Sequence, residues 1–191
     1  VGEESEKAAV NDTPTLVEFV EFPKIHRLTR DMIVTEKLDG TNAQVWVGED
    51  GAVRAGSRNR WLTVEADNFG FARWVEANAD ELRKLGPGRH FGEWWGQGIQ
   101  RTYGLTEKRF SLFNVSRWED DAVRPVCCHV VPVLLRHTFD TALVDGVLST
   151  MKEQGSVAAP GFMRPEGVVV FHAPSNTLFK KTLDKNDGHK G

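Results

Sequence analysis

The chain has 191 residues, of which 40% are hydrophobic and 27% charged, with eleven Phe and six Trp; this is enough to close one core and excludes a disordered or low-complexity chain. The formal net charge of -3 at pH 7 excludes a protein that coats nucleic acid by bulk electrostatics. A polynucleotide site must then be a local basic patch, for which Arg54, Arg58, Arg60, Arg101, Lys108 and Arg109 are the candidates.

Val1 to Asp12 is acidic and lacks the basic and apolar regions of a signal peptide, and no apolar run approaches membrane-spanning length. The two cysteines, Cys127 and Cys128, are adjacent, so an unstrained bridge between them is not expected. Together these features predict a cytoplasmic protein with no membrane partner. They give a domain map of a flexible tail over 1–14, one domain over 15–184 and a polar tail over 185–191. Thr15 to Phe22 reads as a short first strand and Pro23 to Leu28 as a basic loop. Ile33, Val34 and Thr35 are strand formers, Asp39-Gly40 is a turn signal, and Ala43 to Val47 reads as a second strand. The simplest prediction is a hairpin with Lys37 at a strand end. Alternation then puts Lys37 and Asp39 on one face and Glu36 and Leu38 on the other. Gly48 to Gly51 makes a further turn and Ala52 to Ser57 a third strand, an antiparallel meander with Arg58 just past its end.

Phe71, Ala72, Val75, Ala79, Leu82 and Leu85 recur at helical spacing within 65–85, and Gly86-Pro87-Gly88 ends that helix. His90 to Trp95 reads as a strand carrying Glu93 among aromatic residues; a carboxylate there either pairs with an arginine or faces a site. A Gly-rich loop, Gly96 to Gly104, holds Arg101 and Tyr103. Strands follow at Arg109 to Val115 and at Val126 to Leu135, the latter apolar enough to be buried on both faces. Asp140 to Gln154 is a second helix with Gly155 at its stop, and Gly167 to His172 and Thr177 to Leu183 form a hairpin across Ala173 to Asn176. The pattern predicts an α+β domain of packed antiparallel sheets with flanking helices and a cleft between the sheets. In the last strand Lys180 and Lys181 must point to opposite sides. Thr182 shares the face of Lys180, whereas Phe179 shares that of Lys181; with Phe179 expected in the core, Lys181 belongs at the sheet margin or on a bulge.

Glu36-Lys37-Leu38-Asp39-Gly40-Thr41-Asn42 resembles the nucleophile motif of the covalent nucleotidyltransferases, the superfamily of ATP-dependent ligases and mRNA capping enzymes. Further resemblances follow in the family's order at Ser57-Arg58-Asn59-Arg60, Phe91-Gly92-Glu93-Trp94-Trp95-Gly96, Phe110 to Asn114, Glu166 to Val170, and Phe179-Lys180-Lys181. Glu36 and Asn42 look like the RNA ligase branch, and the resemblance runs from Pro23 to Lys181. It implies an adenylyltransferase (ATP-grasp-like) domain, here with no appended OB domain, that acts as an ATP-dependent RNA ligase. In such an enzyme Lys37 takes AMP from ATP, passes it to a 5′-phosphate RNA end, and a 3′-hydroxyl displaces it. By the same resemblance Lys180 and Glu166 assist the chemistry, and Glu36, Asn42, Arg58, Glu93, Phe113, Val168 and Lys181 contact the nucleotide. Val168 and Phe113 would cover the two faces of the base, although periodicity alone makes Phe113 a core aromatic. Asp39, Glu93 and Glu166 would hold Mg2+ or Mn2+, with Glu93 open to a ribose contact instead. The substrates implied are RNA ends, with a partner protein supplying the grip that an extra domain would give. A DNA nick ligase, a GTP-dependent capping enzyme and a non-catalytic nucleotide-binding module are the alternatives. Against the last stands the joint presence of Lys37, Glu93, Glu166 and Lys180. The adjacent lysines depart from the family's usual K-x-K, which makes Lys180 the expected phosphate-binding cation and Lys181 secondary.

Overall fold

The structure is a computed structural model that describes residues 17–184. The expected tails over 1–14 and 185–191, and residues 15 and 16 of the expected first strand, lie outside the described residues. Residues 17–27 form no strand, so that expectation is not met where it can be checked.

Two sheets make up the molecule. The first contains β1 (Asp31–Lys37), β7 (Val133–Thr138), β8 (Gly167–His172) and β9 (Thr177–Thr182), in the order β7-β1-β8-β9. The second contains β2 (Thr41–Val47), β3 (Val53–Ser57), β4 (Gly88–Gly96), β5 (Lys108–Leu112) and β6 (His129–Val130), in the order β3-β2-β4-β5-β6. Every pairing of these strands is antiparallel except the short β5/β6 contact. The helices are α1 (Phe71–Ala77), α2 (Ala79–Leu82), α3 (Val115–Trp118) and α4 (Thr141–Gln154), so the α+β class holds.

The predicted hairpin between Ile33 and Val47 does not form. β1 pairs with β7 and β8, while β2 pairs with β3 and β4, and Leu38 to Gly40 carries the chain from one sheet to the other. Gly40 does not adopt a positive φ; it is required because a Cβ there would lie 2.4 Å from the Trp94 carbonyl oxygen. Turn statistics find the glycine but assign it the wrong physical cause. The expected strand over Val126 to Leu135 is likewise split. Its first part adds β6 to the second sheet, Val131 and Pro132 cross over, and the rest forms β7 of the first sheet; Val126 is exposed rather than buried.

The helix expected over 65–85 starts only at Phe71, behind Gly70 with φ 80, and breaks at Asn78 before a final 3-10 turn to Leu85. Asp67 sets that start by accepting hydrogen bonds from the backbone amides of Ala72 at 2.7 Å and Arg73 at 3.2 Å, which satisfies donors a helix N-terminus leaves free. Phe71, Val75, Leu82 and Leu85 pack with Val45, Trp94, Phe110 and Leu112 to form the core behind the second sheet, each fully buried large side chain contributing about 1.5–3 kcal/mol. Helix α4 agrees with its prediction, with the Asp140 side chain capping Ala142 and Gly155 at φ 86 stopping it. Its Val144, Leu148 and Met151 bury Met32, Val34, Val168 and Val170 on the back of the first sheet. A third cluster, including Leu38, Trp95, Tyr103 and Val131, fills the space where the chain crosses between sheets.

Candidate active site

Register decides which side chains reach the space between the sheets. In the first sheet Thr35 is opposite Val169, which is opposite Lys180; Lys37 is opposite Gly167, and Ile33 opposite Phe171. Directly paired residues share a face, so this row faces the second sheet. Ile33, Thr35, Lys37, Val169, Phe171 and Leu178 line a cavity of about 750 Å³ closed on the other side by Asn42, Gln44, Phe91, Glu93 and Phe113. That volume is in the range of nucleotide- and drug-sized sites.

Lys37 ends β1 and lines the cavity, its Nζ 2.7 Å from Glu166 Oε1, with the lysine side chain only 24% exposed. The sequence suggests an accessible lysine; the structure shows one mostly enclosed and paired. The other oxygen, Glu166 Oε2, is buried without a hydrogen-bond partner, and a buried carboxylate oxygen in that state calls for a donor or a cation. Across the cavity Glu93 accepts hydrogen bonds from the Gly40 amide and from Asn42 Nδ2, both at 3.1 Å. Asn42 therefore orients Glu93. Burial outweighs the bonds from Asn42 and Gly40 and the charge of Lys37, and pushes the Glu93 carboxyl up to about 7.

That shift fixes a pH dependence. The folded protein keeps a proton that the unfolded chain releases near 4.5, so the stability from Glu93 is complete below about 4.5 and is lost as pH rises through about 7. The loss is about 3 kcal/mol at most. Urea denaturation at pH 5 and pH 8 should show a smaller difference for Glu93→Gln than for the wild type; parallel profiles would remove Glu93 as the cause.

The expected carboxylate trio is not assembled. Asp39 Oδ2 accepts from Arg101 Nε at 2.7 Å and its amide donates to the Tyr103 hydroxyl at 2.7 Å. Among the described residues no three His, Cys, Asp or Glu side chains stand together as a metal-holding group. The residues fit a divalent ion held by one or two carboxylates and by substrate phosphates, the usual manner of magnesium. Glu166 Oε2 is the free donor for it, with Glu93 across the cavity and Asp39 excluded. Arg101 also bonds Asp184 and donates to the Arg164 carbonyl at 3.0 Å, just before Glu166. Gln100, Thr102 and Tyr103 all have positive φ, a cost of about 1 kcal/mol or more apiece in a loop that brings Arg101 and Tyr103 onto Asp39. The sequence places both in a Gly-rich loop without showing what they touch.

Alternation corrects one further expectation and reassigns the carboxylate of another. Val168 pairs with Glu36 and Lys181 and is packed against α4, so it does not reach the cavity; Val169 lines it instead. The Glu36 carboxylate is on the same rear side, accepting from Ser156 Oγ at 2.5 Å and from the amides of Val157 and Ala158 at 2.9 Å. Its acceptors are taken up in holding the loop after α4, which gives the carboxylate a structural task, while the residue itself also borders the cavity. Lys181 is paired with Asp145 on α4 and stays in register without a bulge. Phe179, expected in the core, is 51% exposed on this edge strand. Lys180 is on the cavity side, exposed, and among the described residues has no ion pair or side-chain hydrogen bond. Arg58 and Phe113 both line the cavity, Phe113 from the loop after β5, where its amide bonds the Phe91 carbonyl at 3.0 Å.

The sequence pattern of the RNA ligase family matches residues 30–182. The chain belongs to the RNA ligase family. Among solved structures it is similar to variants of the Naegleria gruberi RNA ligase. One, with ATP and Mn, has a TM-score of 0.62 at 20% identity, covering 81% of this chain and 50% of that one. Another, with AMP and Mn, has a TM-score of 0.61 at 19% identity with the same coverage. These likenesses show the fold, and the chain spans about half the length of the Naegleria enzyme. No curated protein matches the chain. Among the described residues no helix is long and apolar enough to cross a membrane.

Proposed function

We propose that this RNA ligase family member is an ATP-dependent ligase working through a lysyl-AMP intermediate on Lys37. The observation that carries the reading is the enclosed Lys37–Glu166 pair, with its orphaned carboxylate oxygen, beside a cavity that Lys37 lines and Glu93 faces from the other sheet. The unprotonated Lys37 amine attacks the α-phosphorus of ATP; a P–N bond forms, the P–O bond to pyrophosphate breaks, and the amine proton is lost. A 5′-phosphate oxygen of RNA then takes the AMP, breaking the P–N bond, and a 3′-hydroxyl attacks the 5′-phosphorus with AMP leaving. Freeing an ordinary lysine amine of its proton at pH 7 costs about 4–5 kcal/mol, and cations near the amine reduce that cost.

In this reading Lys180 binds the phosphates from the unpaired position on β9. Phe113 and Val169 cover the base, Glu93, oriented by Asn42, holds the ribose or the metal, and Arg58 contacts sugar or phosphate. A divalent ion, as in the Naegleria structures with Mn, would be held by Glu166 and the phosphates and would neutralise charge on the leaving pyrophosphate. The reading is tested by incubating the protein with radiolabelled ATP, GTP or NAD and Mg2+ in separate tubes, then running a denaturing gel. Covalent label from ATP alone is expected; label from GTP alone points to capping chemistry, and none from any nucleotide to a binding module.

A further inference from the structure

The second sheet carries a feature outside the lysine chemistry. Trp61 is 38% exposed and held in place by the bridge opposite Gly56 and by the turn in which the Ser57 amide bonds the Arg60 carbonyl at 2.8 Å. Two guanidinium groups lie over its ring, Arg54 at 4.8 Å and Arg89 at 5.2 Å from the centroid. They come from β3 and β4, both opposite Trp46 of the intervening β2. Among the described residues neither arginine has a carboxylate partner, unlike Arg83, Arg101, Arg109, Arg124 and Arg136, which close ion pairs, and Arg58 beside them is likewise without one. The ring attracts each guanidinium and Arg89 also donates to Gln44 Oε1 at 3.1 Å, so the group is held in place with two positive charges that no carboxylate offsets.

The patch continues from the cavity. Along β4 the same face carries Glu93, then Phe91, 53% exposed, then Arg89, and Arg89 and Arg58 stand at the cavity's edge. At about 3.3 Å per residue Arg89 is roughly 13 Å from Glu93, which places the patch next to a nucleotide bound in the cleft. An exposed indole offers a stacking face to any base, and flanking guanidinium groups suit a phosphodiester. We propose that Trp61, Arg54 and Arg89 form a subsite for the single-stranded RNA that adjoins the end being joined, a proposal that rests on the RNA ligase reading. It explains how a chain of net charge -3 holds a polyanion, through a local group of cations without carboxylate partners beside aromatic rings.

The test uses fluorescence anisotropy with a labelled single-stranded RNA oligonucleotide at several salt concentrations. The wild type is compared with Trp61→Ala, Trp61→Phe, Arg54→Gln and the double variant Arg54→Gln/Arg89→Gln. Trp61→Ala should weaken binding by about 5- to 150-fold, the range for loss of one stacked base, and Trp61→Phe should recover most of it. The double variant should reduce the slope of log K against log salt by about 1.4, the value for two phosphate contacts on a single strand. Covalent labelling from ATP should be unchanged in Trp61→Ala and Arg54→Gln, neither of which lines the cavity. Unchanged RNA affinity and salt slope would overturn the proposal, as would competition by polyglutamate as effective as by RNA, which would mark an acidic-peptide site. The double variant alters exposed side chains only, so it carries the test if Trp61→Ala fails to fold. Absence of label from ATP in the wild type would sink the ligase chemistry alone, since the binding comparison is read independently.

Discussion

Lys37→Arg is expected to abolish the covalent AMP adduct while leaving the fold intact. The guanidinium keeps the positive charge opposite Glu166, whose Oε1 is 2.7 Å from the lysine nitrogen in the native protein, but it is not deprotonated under any condition a protein survives. Nucleophilicity is removed and the electrostatic partnership is kept. Adduct formation on the radiolabel gel should fall by at least about 10³-fold, as for loss of a covalent nucleophile. Lys37→Ala should lose the adduct as well, but it also leaves the Glu166 carboxylate, one oxygen of which already has no partner, without its cation. A loss of stability on the order of 1–3 kcal/mol accompanies such a change. Melting curves therefore belong beside the gel. Label retained by Lys37→Arg would show that the nucleophile is another residue.

The second large effect separates two adjacent lysines. Lys180→Ala should lower the rate of adduct formation by about 10²- to 10³-fold, the loss expected when a preorganised positive charge on a reacting phosphate is removed. Lys181→Ala should change it by less than about threefold. The difference follows from register: Lys180 is opposite Val169 on the cavity side, and Lys181 is opposite Val168, against α4, where it pairs with Asp145. An exposed pair of that kind adds about 0–1 kcal/mol to stability. If Lys181→Ala proved the more damaging, β9 would have to be shifted by one residue, exchanging every side chain between its two faces.

Alternation within strands is legible from the residues alone, which is why Lys180 and Lys181 separate onto two faces as expected. Helix α4 is equally legible, because its Asp140 cap and Gly155 stop are local signals. Alternation carries no information about which sheet a strand joins. The strand formers around Val34 and Val45 are consistent with a hairpin, yet Val34 packs with Leu148 of α4 behind the first sheet, and Val45 packs with Phe71 and Val75 of α1 behind the second. A sequence window that spans a crossing looks the same as one that spans a turn, and the split of Val126 to Leu135 between β6 and β7 has the same origin. At the site, the motif residues Lys37, Glu93, Glu166, Arg58 and Phe113 can be named from the sequence. The choice of Val169 over Val168 needs the exact start of β8, and the capture of Asp39 by Arg101 and Tyr103 depends on contacts across more than sixty positions of chain.

The passage of the chain between sheets has a mechanical consequence. Lys37 ends one sheet and Thr41 begins the other, so the two walls are tethered there by four peptide steps, at most about 14 Å when fully extended. The separation of the walls at Lys37 is thus limited by covalent bonds, which thermal motion cannot lengthen. A second covalent passage, Val131 and Pro132 between β6 and β7, joins the same two walls, with the Val131 amide bonded to the Leu112 carbonyl at 3.1 Å and the Pro132 carbonyl accepting from the Glu36 amide at 3.0 Å. With two covalent ties beside the end of β1, any change in the width of the cleft has to be taken up away from Lys37, whose position relative to both walls is held.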